Sequence, residues 1–146
     1  MKLTFFGGAE TVTGSKILLE TETKKVLIDC GLFQGIKELR LKNWEEFPIE
    51  LNEIDAVFLT HAHLDHSGYL PILTKNGYKG TVNCTKATKE LAEIILLDSA
   101  KIQEEDANRA NRYGYTKHKP AKPLYNVDDV KQCLSKFKTF ELYKWH

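Results

Sequence analysis

The sequence has few cysteines, no long hydrophobic run and no excess of charge of one sign. Its three cysteines, Cys30, Cys84 and Cys133, lie far apart and form no CxxC pair. This pattern argues against a disulfide framework and predicts buried free thiols in a cytoplasmic protein. The apolar run from Ile94 to Leu97 is four residues long, whereas a membrane span needs roughly 18. The sequence therefore predicts no membrane segment, and its N-terminal apolar stretch is too short for a signal peptide.

The charge balance is almost even, because 21 Lys and Arg residues face 20 Asp and Glu residues. A dominant basic arm or acidic tail is excluded, although a local basic patch is not. With 146 residues, four prolines and nine glycines, the chain has the size of one globular domain and contains no linker-like tract.

Strand-like and helix-like segments alternate along the chain, which is typical of the α/β class. The run from Ile54 to Thr60 is almost continuously apolar and predicts a strand that is buried on both faces. Thr85 and Asn126 are typical N-caps for the two later helices. The predicted strands are 2–6, 16–20, 25–28, 54–60, 80–84 and 139–143, and the predicted helices are 37–44, 67–75, 86–112 and a last one beginning after residue 126.

Three of the five histidines fall within six positions, in the segment His61-Ala62-His63-Leu64-Asp65-His66. In extended chain, His61 and His63 point to the same side, and Asp65 and His66 follow on a turn that opens a helix. Four ligand-competent side chains therefore meet beyond the C-terminal edge of a sheet, where α/β folds place their sites. Imidazole nitrogen and carboxylate oxygen without thiolate suit Zn, Mn or Fe, and predict an open catalytic site more than a closed structural one.

The segment His61 to His66 resembles the HxHxDH signature of the metallo-β-lactamase superfamily. The strand-end triplet Asp29-Cys30-Gly31 resembles the first motif of that superfamily. Thr11 to Ser15, Gly31 to Gly35 and His66 to Pro71 resemble, more narrowly, its RNA-processing branch with a β-CASP insert. The run from Gln103 to Ala107 and the pair Lys117-His118 are similar to bacterial members of that branch.

This resemblance implies a role for each matching residue. His61 and His63 would bind one metal ion, and Asp65 and His66 a second, with zinc expected and manganese an alternative. Asp29 would orient the histidines by hydrogen bonds without binding metal. The reaction implied is hydrolysis of RNA phosphodiesters by a hydroxide that the metal activates, with Asp65 also orienting that hydroxide.

The chain departs from the family pattern because the later histidines and the bridging aspartate have no match before residue 146. The resemblance therefore implies a fold class of α/β, the N-terminal half of an αββα sandwich, with residues 1–146 forming a partial domain that lacks the β-CASP insert and the C-terminal half. One sheet face would then have no partner layer, which predicts exposed apolar surface and self-association through that face. We interpret His118 as a solvated loop residue and His146 as a chance terminal residue.

Two alternatives to a ribonuclease stay open at this point. One is a smaller hydrolase of the same fold that acts on a thioester, a lactone or a cyclic nucleotide. The other is a catalytically incompetent module whose metal site is incomplete. The Thr11 to Ser15 loop and the Gln103 to Ala107 run favour the ribonuclease.

Overall fold

A computed structural model describes residues 1–116 and 118–144 of the chain. The expectations for Lys117 and His146 lie outside the described residues. The strands are β1 (Lys2–Gly7), β2 (Lys16–Glu20), β3 (Lys25–Ile28), β4 (Ala56–Phe58), β5 (Thr81–Thr85) and β6 (Phe137–Phe140), and the α-helices are α1 (Lys37–Leu41), α2 (Leu64–Ser67), α3 (Leu70–Lys75), α4 (Lys86–Tyr113) and α5 (Val127–Leu134). Short 3-10 turns at Lys42–Trp44 and Leu51–Glu53 complete the order.

The six strands form one mixed sheet in which the spatial order follows the chain order. Strands β1, β2 and β3 pair antiparallel, and β3 to β6 pair parallel. A tight turn at 21–24 joins β2 to β3, and a longer loop at 8–15 joins β1 to β2. Each parallel pair needs a crossover, and α3 and α4 lie in such crossovers.

One face of the sheet carries the core. Leu27, Val57 and Val82 lie side by side on β3, β4 and β5, and each is fully buried. The core that they form also includes Tyr69, Leu70 and Leu73 from α3 and its N-terminus, Ala92, Leu96 and Ala100 from α4, and Val130 and Cys133 from α5. We call this the covered face.

The opposite face of the sheet has no helical layer over it in the described part of the chain. Leu3 and Phe5 on β1 are 50% and 54% exposed, and Phe58 on β4 is 47% exposed. We call this the open face; the strand register aligns Leu3, Phe5, Ile17, Leu19, Val26, Ile28, Ala56 and Phe58 on it. The expected exposed apolar surface is therefore present.

Helix α4 begins and ends where the sequence predicts. The Thr85 hydroxyl accepts from the Thr88 N–H, and Gly114 ends the helix in the left-handed conformation at φ 66°, as glycine readily does. Asn126 and Asp129 form a capping box at the start of α5. No helix in the described part of the chain has both the length and the apolar character required to span a bilayer.

Three predictions of local structure are wrong. Strand β4 is only three residues long and is buried on the covered face alone, since Phe58 points to the open face. The predicted helix from Ser67 begins earlier, at Leu64, and is interrupted between α2 and α3. Strand β6 begins at Phe137, two residues before the predicted strand, because Phe137 pairs with Val82 and enters the core.

Candidate metal centre

The histidine motif lies where β4 ends and α2 begins. Strand β4 ends at Phe58, and the peptide N–H of Leu59 donates to the Asn83 carbonyl at 2.9 Å. His61 to His63 form the connecting loop, while Asp65 and His66 lie in the short helix α2 itself. The site is thus at the C-terminal edge of the parallel strands, as expected for an α/β sheet.

Asp29 is the hydrogen-bonding hub of this site. Its side chain is almost completely buried, with the residue only 3% exposed, and it follows β3 with a left-handed φ of 59°. One carboxylate oxygen accepts from the Thr60 N–H at 2.8 Å and from the Thr60 hydroxyl at 2.9 Å. The other is 2.8 Å from His66 Nδ1 and 2.9 Å from the same hydroxyl.

The four predicted ligands lie together as two neighbouring pairs. His61 Nε2 is 3.2 Å from His63 Nδ1, and His66 Nε2 is 3.6 Å from the nearer Asp65 oxygen. The rings of His61 and His66 join the two pairs, with centroids 4.0 Å apart. Among residues 1–116 and 118–144, however, no three His, Cys, Asp or Glu side chains are arranged so that they could hold an ion as they stand. The imidazoles contact one another instead.

A backbone clamp holds the first motif against the second. The N–H groups of Cys30 and Leu32 donate to the carbonyls of His66 and Leu64 at 2.7 and 2.9 Å. Gly31 lies between them, and a Cβ there would be 1.6 Å from the Asp65 carbonyl oxygen. Only glycine allows this close approach, which explains the Asp-Cys-Gly order after β3.

Sequence reasoning assigned no role to Ser67 or Thr60, which both support the motif. The buried Ser67 hydroxyl lies 2.9 Å from the Ala62 carbonyl and 3.0 Å from the His63 carbonyl, and so closes the histidine loop onto α2. Thr60 bonds Asp29, as described above. Hydroxyl residues flanking a histidine motif are the signal that could have indicated both.

Cys30 lies next to Asp29 but does not belong to the set of metal donors. It is fully buried, and burial raises the pKa of its thiol to about 12. The thiol therefore stays protonated at neutral pH, whereas a metal ligand must be a thiolate. The site keeps the nitrogen and oxygen donors that the sequence indicates.

These residues fit a divalent metal ion by their chemistry. Three imidazoles and one carboxylate are a donor set suited to Zn or Mn. The His66 ring hydrogen-bonds Asp29 through Nδ1, and its Nε2 faces Asp65. A histidine fixed in this way by a carboxylate is the usual arrangement behind a metal ligand. His118, in contrast, is exposed, and its backbone N–H donates to the hydroxyl of Thr116.

The comparisons with known proteins agree with this geometry. The family profile described as Metallo-beta-lactamase superfamily matches residues 11–135. Ribonuclease TTHA0252 of Thermus thermophilus is 40% identical over 145 residues, which are 99% of this chain and 29% of that protein. A transcription termination factor FttA of Methanocaldococcus jannaschii is 31% identical over 134 residues, 92% of this chain and 19% of that protein.

A third relative, Probable RNase MJ4 of Methanocaldococcus jannaschii, is 36% identical over 137 residues, 92% of this chain and 27% of that protein. The chain thus spans less than a third of the length of each of these relatives. The comparisons confirm both the predicted α/β fold class, the N-terminal portion of the superfamily's sandwich, and the resemblance to the RNA-processing β-CASP branch. The chain belongs to the metallo-beta-lactamase superfamily.

Proposed function

We propose that this chain supplies the metal-binding part of a hydrolase site that cleaves RNA phosphodiesters in a longer protein. The observation that carries the proposal is the buried Asp29 carboxylate, which bonds His66 directly and Thr60 beside His61. A surface cluster of histidines would not need a buried carboxylate behind it. The names of the relatives, a ribonuclease and a probable RNase, support RNA as the substrate class.

Membership of the superfamily implies a divalent metal, and we propose zinc in a two-ion site, with manganese as the alternative. His61 and His63 would hold one ion, and Asp65 and His66 the other. A bound ion of this kind would lower the pKa of its water to about 7 and so supply a nucleophile at neutral pH.

Two residues of the chain would orient the His66 ring and the attacking water. Asp29 would accept a hydrogen bond from the His66 Nδ1–H and keep that ring's Nε2 directed at the reaction site. Asp65 is partly exposed beside His66, which supports a role for its carboxylate in orienting the attacking water. Together with the two pairs of metal ligands, these two roles account for all five predicted site residues.

We further propose that residues 1–146 form the N-terminal part of a metallo-β-lactamase domain in a longer cytoplasmic protein. The share of each relative that the chain spans, at most 29% for the three described above, supports the partial domain. Three free, buried cysteines support a reducing compartment.

We also propose that the isolated chain self-associates through the open face. Leu3 and Phe5 on β1 and Phe58 on β4 are large apolar side chains, each about half exposed, on the same face of one sheet. Sedimentation velocity at increasing concentration should show dimers or larger species, and Phe5→Ser with Phe58→Ser should shift the chain toward monomer. A wild-type monomer throughout that range would contradict this proposal.

Metal binding is the first test of the proposed function. Isothermal titration with ZnCl₂ and MnCl₂ should show binding by the wild-type chain. His63→Ala should weaken that binding, whereas the matched control His118→Ala, in an exposed loop, should not. Equal affinity in His63→Ala and wild type would overturn the assignment.

Catalysis is the second test, made with labelled single-stranded RNA and a thioester substrate in the presence of either metal. RNA cleavage that is lost in His63→Ala would establish the activity and contradict an incompetent module. Cleavage of the thioester but not RNA would overturn the RNA assignment. Metal binding without either reaction would show that the donors of this chain alone are insufficient.

A further inference from the structure

Thr60 connects the buried carboxylate to a histidine that the carboxylate does not itself reach. Its N–H and hydroxyl both bond Asp29, at 2.8 and 2.9 Å. The same hydroxyl oxygen is 3.0 Å from His61 Nδ1. Asp29, Thr60 and His61 therefore form a continuous chain of hydrogen bonds in which Thr60 is the middle member.

Counting protons gives each bond in this chain a direction. The hydroxyl of Thr60 has one proton, and a carboxylate can only accept. The Thr60 hydroxyl thus donates to Asp29, whose two carboxylate oxygens both lie 2.9 Å from the hydroxyl oxygen. The hydroxyl oxygen can then only accept from His61, so the ring of His61 must carry its proton on Nδ1.

We propose that Thr60 is a positioning residue that fixes the tautomer of His61. One buried carboxylate then fixes the tautomers of two imidazole rings, that of His66 by direct contact and that of His61 through the Thr60 hydroxyl. Because each neutral ring holds its proton on Nδ1, each has its lone pair on Nε2. The inference rests on the proposed function only where it concerns metal affinity.

The positions of the rings indicate what this arrangement is for. His61 and His66 lie with ring centroids 4.0 Å apart, and their Nε2 atoms face His63 and Asp65 respectively. If either ring carried its proton on Nε2, that ring would present a donor where a ligand atom is needed. Fixing the tautomer in advance avoids a rearrangement when an ion binds.

The wild-type protein provides the first test, without metal and without any substitution. Nitrogen-15 NMR of the imidazole rings, recorded above about pH 8 where histidine is neutral, distinguishes the two tautomers. His61 should be protonated on Nδ1, as should His66. An Nε2-protonated or mixed His61 would overturn the inference whether or not the chain binds metal.

Two substitutions provide the second test. Thr60→Val keeps the shape and the N–H to Asp29 but removes the hydroxyl, whereas Thr60→Ser keeps the hydroxyl. His61 should become a mixture of tautomers in Thr60→Val only. Zn²⁺ affinity, by titration, should fall about 10- to 100-fold in Thr60→Val and stay near the wild-type value in Thr60→Ser.

The outcomes separate this inference from the proposed function. If Thr60→Ser behaves like Thr60→Val, or if neither changes the tautomer of His61, Thr60 has no positioning role. If the wild-type chain binds no metal, the proposed function fails while the tautomer measurements still decide the inference. If Thr60→Val does not fold, by circular dichroism, the wild-type and Thr60→Ser spectra decide it alone.

Discussion

The two faces of the sheet carry similar apolar side chains but differ in how far these are exposed to solvent. Leu27 on the covered face is fully buried, whereas Leu3 on the open face is 50% exposed. Both are leucines in strands of the same antiparallel half of the sheet. The difference teaches that the fold is stabilised from the helical side, and that the open face holds apolar side chains that the described residues do not cover. The candidate metal centre lies at the C-terminal edge of the same sheet.

The largest expected effect is the difference in stability between two variants that each truncate one leucine, Leu27 on the covered face and Leu3 on the open face. Leu27→Ala should lower the free energy of unfolding by about 2–5 kcal/mol, because it removes buried methyl groups and leaves a cavity among helices. In the monomeric chain, Leu3→Ala should cost less than about 1 kcal/mol, since the side chain is already half in water. Urea denaturation followed by circular dichroism measures both.

Equal losses at a high protein concentration would mean that a second copy of the chain covers the open face, as proposed above. Equal losses that persist in the monomer would contradict the comparison. Repeating the measurement at a tenfold lower protein concentration distinguishes the two cases, because stability gained by association depends on concentration.

The buried thiols on the covered face make the stability of the fold depend on pH. Cys133 is fully buried in α5, and burial raises the pKa of its thiol to about 12 from an ordinary value of 9.0. Between pH 9 and 12 the unfolded chain loses this proton while the folded chain keeps it. The folded state thus binds more protons, so stability falls as pH rises, by up to about 1.4 kcal/mol per pH unit for each such thiol.

Cys133→Ala should therefore lose stability less steeply than wild type above pH 9. The informative quantity is the slope between about pH 9.5 and 10.5, because the absolute stability also includes the packing lost with the sulfur atom. Unfolding by urea at several pH values measures it. An unchanged slope would mean that Cys133 is solvated before the chain unfolds.

The sequence predicted some parts of this molecule well because their signals are local. Strands β2 and β3 have the predicted bounds, since apolar side chains and a polar turn define a hairpin within about a dozen residues. The spacing of the histidine motif likewise brings its own side chains together. Strand β4 was predicted too long because its apolar run gives no alternation from which a half-exposed Phe58 could be inferred.

The supporting contacts of the site could not be predicted, because they join residues far apart in the chain. Thr60 bonds Asp29 across 31 positions, and His66 bonds it across 37. The left-handed backbone of Asp29 depends on neighbours supplied by the folded chain. Pattern and spacing identify the donors, whereas only tertiary structure shows which hydrogen bonds orient them.

The smallest expected effect concerns Lys16, the one lysine that is buried among residues 1–116 and 118–144. The residue is 4% exposed; its ammonium donates to the Gly31 carbonyl at 2.5 Å and lies 4.5 Å and 4.6 Å from the ring centres of Phe33 and Tyr69. No carboxylate pairs with it in residues 1–116 or 118–144. Burial lowers its pKa from the ordinary 10.5, which means that the charge is costly there.

Lys16→Met should be neutral or stabilising by about 1 kcal/mol near pH 7, because it keeps most of the length of the unbranched side chain and removes a buried charge. The unfolded wild-type chain binds the Lys16 proton more tightly than the folded one, so the stability of wild type gains from rising pH up to about 10.5. The advantage of Lys16→Met should therefore shrink over that range. A large loss that is independent of pH would show instead that the bond to Gly31, beside the candidate metal centre, outweighs the cost of burying the charge.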